Sequence, residues 1–167
     1  MQQQKGFTII ELIVVIAIIA VLAAIVITNV NGYMAKARDS RRAADIRNIQ
    51  VALAMYYASN GNYPASGGAT SPNGSWSNSN DSSWTTLATA LNPYVSSLHK
   101  DPNQSSSDWP GGTGYSYAYF SLGYGCSQQW YMLVYKPEIS GRPSPGVTAC
   151  DGTYFNYSGT ITIGVGK

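Results

Sequence analysis

No charged side chain lies between Glu11 and Lys36, and every residue from Leu12 to Ile27 is aliphatic or alanine. A helix over that uncharged gap would be ~36 Å long, against ~30 Å for the hydrocarbon core of a bilayer. The sequence therefore predicts a transmembrane helix over residues 7–35. Ala17, Ala20, Ala23 and Ala24 recur at steps of three and four, a spacing that lets helices approach closely in an apolar medium. We read that row as a packing face rather than lipid-facing filler. Glu11 is the exception in this stretch. An unpaired carboxylate in an apolar medium is costly, so it demands a partner or a purpose.

The helical pattern continues past the apolar run. Asn31-Gly32 is the one strong breaker in the stem, and Gly32 is expected to mark a break or weak point. Over residues 36–60 the pattern is amphipathic. Ile46, Ile49, Leu53 and Tyr56 lie at helical steps, and Val51 and Met55 widen the stripe. Arg38, Arg41, Arg42 and Arg47 lie elsewhere, with Arg41–Asp45 and Arg42–Asp45 at pair spacing. We expect a solvated face or intersubunit ion pairs from these arginines, rather than contacts to DNA or anionic lipid. Asn60-Gly61 is a left-handed C-cap signal and Pro64 bars continuation.

Residues 65–114 read as a variable loop region. Ala65–Ser83 is rich in Ser, Asn and Gly and is expected to have little order of its own. A short helix is expected over Thr85–Leu91, ended by Pro93. Residues 115–167 hold the strand candidates: Tyr115–Leu122, Trp130–Tyr135, and Thr153–Tyr157 with Thr160–Val165, the last two able to form a hairpin through Ser158-Gly159. Local connections imply antiparallel pairing, and the amphipathic half of the long helix is the one large cover available for the sheet. The expected fold class is α+β: a long N-terminal helix, membrane stem continuing into an amphipathic half, packed against a small antiparallel β-sheet head. The expected domains are a leader at 1–6, a transmembrane or filament-core helix at 7–35 and a globular head at 36–167.

Composition narrows the function. Charged residues are 11% of the chain, against about 25% in a typical soluble protein. A net charge of +2 is too small to suggest nucleic acid as a partner. Cys126 and Cys150 can close one bridge, worth ~3 kcal/mol by loop entropy, or remain two buried thiols. We expect the bridge, which places the head in an oxidising, extracytoplasmic compartment. Thirteen Tyr and four Trp suit core and subunit packing better than a carbohydrate-binding patch. His99 is the single histidine and no catalytic constellation surrounds it, so no enzyme activity is expected. No cofactor is expected either. Asp101, Asn103, Ser105 and Asp108 resemble part of a Ca²⁺ loop, but position 112 is Gly where the loop needs a bidentate Glu.

The run from Lys5-Gly6-Phe7-Thr8-Ile9-Ile10-Glu11 through Ile25 closely resembles the class III signal of type IV pilins and type II secretion pseudopilins. A weaker similarity to G-type major pseudopilins covers Asn60-Gly61-Asn62-Tyr63-Pro64, Leu91–Tyr94, Asp101-Pro102 and Tyr115–Tyr117. The loop Ala65–Ser83 and the Cys126/Cys150 pair depart from that group. The resemblance implies that a prepilin peptidase cuts between Gly6 and Phe7 and methylates the Phe7 amine. It implies a homo-oligomeric helical filament, raised from the inner membrane by an assembly platform, with the head extracytoplasmic. Glu11 would pair with the new amine of a neighbour and set axial register. The expected function is a structural subunit of a type IV pilus or type II secretion pseudopilus. The alternative is a minor pilin or competence pseudopilin that binds a surface or DNA. One count opposes this topology: Lys36, Arg38, Arg41, Arg42 and Arg47 outweigh Lys5, which by the positive-inside rule favours a cytoplasmic head. The cysteines and the leader motif argue the other way, and we follow them.

Overall fold

The computed structural model describes residues 6–67, 75–104 and 112–166, without the side chains of 25–29. The chain forms two compact units, divided between Ala37 and Arg38. One helix, α1 (Ile9–Asn60), supplies the regular structure of the first unit and opens the second. Gly32 lies inside α1 and does not break it, contrary to expectation. A lone mid-helix glycine costs about 1 kcal/mol against alanine, too little by itself to end a helix that continues on both sides. Among the described residues no helix is long and apolar enough to cross a membrane. The crossing expected over 7–35 runs through residues 25–29, so part of it lies outside the described side chains.

In the second unit, α1 ends where the sequence signals it. Gly61 has φ +71°, and its N–H donates to the Tyr57 carbonyl at 2.8 Å. A second helix, α2 (Ser83–Leu91), buries Trp84, Leu87 and Leu91. Four strands form one antiparallel sheet: β1 (Ser77–Asn78), β2 (Tyr117–Phe120), β3 (Tyr131–Tyr135) and β6 (Ile161–Val165), adjacent in that order. Alternation along the strands splits the side chains between two cores. Tyr117, Tyr119, Tyr131, Leu133, Tyr135 and Ile161 cluster with Ile46, Ile49 and Leu53 of α1 and with the buried face of α2. Ala118, Phe120, Met132 and Val134 point the other way and cluster with Trp76, Trp130, Val147 and Ala149.

This second core was not anticipated, and it corrects two expectations. The Ser/Asn/Gly-rich stretch is ordered at its end, where Trp76 is 2% exposed and its ring centroid lies 4.8 Å from that of Phe120. The hairpin through Ser158-Gly159 does not form. Instead β4 (Val147–Thr148) and β5 (Tyr154–Phe155) pair as a separate ribbon. Asp151-Gly152 makes its turn: Gly152 has φ +88°, and the Ala149 N–H donates to the Thr153 carbonyl at 2.8 Å. Cys126 and Cys150 are disulfide-bonded, with Cα atoms 5.9 Å apart, and tie the β2–β3 loop to the ribbon turn.

Candidate assembly site

Glu11 is held by its own helix start. The Thr8 N–H and the Thr8 hydroxyl both donate to Glu11 Oε2 at 2.8 Å, and the Glu11 N–H donates back to Thr8 Oγ1 at 3.3 Å. This reciprocal pattern is a capping box, in which an N-cap Thr and a Glu three residues on satisfy each other's backbone donors. The sequence carried the sign for it, Thr-x-x-Glu ahead of an apolar run, which the reading of Glu11 as a lone misplaced charge passed over. No atom of the described residues lies within 4 Å of a Cβ placed on Gly6, and Phe7 is 86% exposed.

Behind the cap the helix is apolar on every side. The large apolar side chains from Phe7 to Leu22 are each between 47% and 86% exposed. Fully burying a side chain of this size stabilises by ~1.5–3 kcal/mol, so burying the exposed part of twelve would contribute roughly 10–20 kcal/mol. That matches or exceeds most estimates of the entropic cost of association. Around Ala17 the neighbours Val14, Ile18, Val21 and Leu22 form a shallow apolar groove, which suits close approach of another helix or a lipid chain.

The head unit holds a buried cluster of charged side chains. Arg42 is fully buried and not part of a solvated face. Its Nε and Nη2 donate to Asp101 Oδ2 and Oδ1 at 2.7 and 2.8 Å, and its Nη1 donates to Asp39 at 2.7 Å and to Glu138 at 2.8 Å. Arg38 forms a second fork on Glu138, at 2.7 and 2.6 Å. Asp39 also accepts the backbone N–H groups of Glu138 and Ile139. The cluster joins α1 to the Asp101 turn and to the segment after β3. Burial pulls the Arg42 pKa down, but the bonds to Asp101, Glu138 and Asp39 outweigh it and raise it above the ordinary arginine range. The Arg38 guanidinium, then Arg42, holds Glu138 below the usual carboxylate range.

The expected Arg42–Asp45 pair does not form, because Arg42 turns to Asp39, one turn earlier. Asp45 instead accepts the Tyr117 hydroxyl at 3.0 Å, with Arg41 at 3.9 Å. A signal for this was available: Asp39 and Arg42 continue, at helical steps, the stripe of Ile46, Ile49 and Leu53. Both Asp101 oxygens are taken by Arg42, and Asp108 lies outside the described residues. Among the described residues no group of His, Cys, Asp and Glu could hold a metal ion. His99 is exposed.

A family model for the prokaryotic N-terminal methylation motif matches residues 1–27. The match is confined to the N-terminal segment. Curated relatives of this chain include type II secretion system core proteins G. The chain is 42% identical over 64 residues to the type II secretion system core protein G of Klebsiella pneumoniae, covering 38% of this chain and 46% of the relative. It is 44% identical over 62 residues to that of Escherichia coli K12, covering 37% and 43%. Against that of Pseudomonas aeruginosa it is 41% identical over 64 residues, covering 38% and 45%. These matches span less than half of each relative's length. No solved structure matches.

Proposed function

We propose that the chain is a structural subunit of a type IV filament, the pseudopilus of type II secretion, and not an enzyme. The observation that carries the proposal is the pairing of a methylation-motif start, with Glu11 in a capping box, and a helix whose apolar side chains are exposed all round. Such a surface is stable only when covered by lipid or by other helices. Before assembly the helix rests in the inner membrane with the head outside the cytoplasm, where the Cys126–Cys150 bridge survives. A prepilin peptidase cuts between Gly6 and Phe7, and the subunits are then raised into a homopolymer by an assembly platform. Similarity to core protein G favours the secretion filament over a surface pilus or a separate binding module.

Two measurements test this reading. Mass spectrometry of protein from a strain with an active prepilin peptidase should show a mature chain starting at N-methylated Phe7. Retention of Met1–Gly6 there would refute it. Glu11→Ala should abolish or sharply reduce filament formation while leaving the head folded, because the amine of a neighbour then lacks its carboxylate. Filaments as abundant as those of the unmodified subunit would contradict the role given to Glu11.

A further inference from the structure

The head unit carries a pocket of about 560 Å³, within the roughly 300–1,000 Å³ of small-ligand sites. Its walls are the segment 136–144 after β3 and the connection 156–160 between β5 and β6. Both walls are pinned from behind. Asp39 accepts the Glu138 and Ile139 N–H groups at 2.9 and 3.0 Å. The Thr160 hydroxyl donates to the Tyr157 carbonyl at 2.8 Å, the Thr162 N–H to Ser144 Oγ at 2.9 Å, and the Asn156 amide to the Ser144 carbonyl at 3.3 Å. The cavity therefore exists before any ligand enters.

Its charge is unbalanced toward the cation. Lys136 and Arg142 line it, and among the described residues neither forms a salt bridge. Lys136 donates to the Gly112 carbonyl at 2.8 Å and lies 5.5 Å from the centre of the Tyr115 ring. The carboxylate on the wall, Glu138, is turned to Arg38 and Arg42. The lining also includes the neutral polar side chains of Ser140, Ser158, Asn156 and Tyr157. Two cations with no carboxylate partner among the described residues call for an anionic group, and a lining of hydroxyls and an amide calls for a body rich in hydroxyls. A bare anion leaves most of the volume empty, and an extended nucleic acid needs a basic track that this wall lacks.

We propose that this pocket binds an acidic saccharide, its carboxylate held by Lys136 and Arg142. The site lies wholly in the head unit and stands whether or not the chain builds a filament. The test is calorimetric titration of the full-length protein in neutral detergent at low salt with digalacturonate, neutral galactobiose and inorganic phosphate. Digalacturonate should bind saturably at one site, about tenfold or more tighter than galactobiose. Arg142→Gln should weaken it by about tenfold, as loss of one charge-assisted fork predicts, and Lys136→Gln should act alike. Arg142 is exposed, so its variant should leave the fold intact, as near-ultraviolet circular dichroism would verify. Equal affinity for galactobiose, unchanged binding by both variants, or no saturation in the millimolar range would overturn the proposal. Phosphate binding as tight as digalacturonate would also overturn it, reducing the site to one for small anions.

Discussion

Truncating Arg42 tests whether the buried cluster holds the head together. Arg42→Ala removes four charge-assisted hydrogen bonds at 2.7–2.8 Å. Counting each at about 1.5–3 kcal/mol would give roughly 6–12 kcal/mol, but this double counts, because the surviving carboxylates keep other donors. Glu138 retains Arg38, Asp39 retains two backbone N–H groups, and Asp101 retains the Asn103 N–H at 2.8 Å. The dominant loss is one buried carboxylate, Asp101, left without its cation, for which about 3–5 kcal/mol is the better estimate. Against a total stability of about 5–15 kcal/mol that is roughly a fifth or more of the head. Urea unfolding of the full chain in detergent, followed by the fluorescence of the buried Trp84 and Trp130, should show the midpoint fall accordingly. Replacing Arg42 and Asp101 together by leucine should cost less than Arg42→Ala alone, since no lone charge remains. The stability of the unmodified head should also fall in acid. The depressed Glu138 pKa means stability present above the unfolded carboxylate value of about 4.3, lost as pH falls through the lower folded value. A cost below about 1 kcal/mol for Arg42→Ala at neutral pH would show that the cluster adds nothing and refute the argument.

Three further outcomes follow from the same geometry. Cys126→Ser with Cys150→Ser, or reduction by dithiothreitol, should lower head stability by roughly 3 kcal/mol, read from the same urea transition. Burial raises the pKa of Tyr117 and Tyr119 above the ordinary tyrosine range and pushes Tyr131 up to about 12. The unfolded chain then ionises first, so stability present below about pH 10 should be lost as pH rises, and phenolate absorbance should show these three titrating only with unfolding. Thr8→Ala should speed amide exchange in the first turn of α1 in micelles while leaving the urea transition of the head unmoved; unchanged exchange would mean that the capping box is not populated.

What could be read from the sequence was what local periodicity controls. The course of α1, its Asn60-Gly61 end, the α2 region and the strands β2 and β3 all follow from spacing and turn residues within a few positions. Burial of the second sheet face was not legible in the same way. Tyr115–Leu122 alternates aromatic with small residues, which looks half-solvated, until Trp76 from a polar loop and the β4–β5 ribbon cover Ala118 and Phe120. The Arg42–Asp101 fork spans 59 positions, and no local pattern announces its partner. Arg42 looked like a surface charge because arginine usually is one; only its place on the Ile46–Leu53 stripe pointed inward. The Thr8–Glu11 box and the Asp151-Gly152 turn were local and visible, and were outweighed by longer patterns around them.

Glu11 and Asp39, two carboxylates on one helix, differ in where a cation can come from. Asp39 is buried, and the chain itself supplies its cation at 2.7 Å. Glu11 has hydrogen bonds from Thr8, but these are neutral donors and leave its charge uncancelled. Moving that carboxylate into an apolar core with Thr8 alone would cost several kcal/mol in desolvation. No Lys or Arg lies between Gly6 and Ala35 to offset it. A cation must therefore arrive with the burial. On the proposed function it is the amine released when the Gly6–Phe7 bond is cut, so removal of the leader creates the charge that makes burial of Glu11 tolerable. Assembly through this helix is then conditional on processing for an electrostatic reason, whereas the head folds without it because Arg42 is already in place.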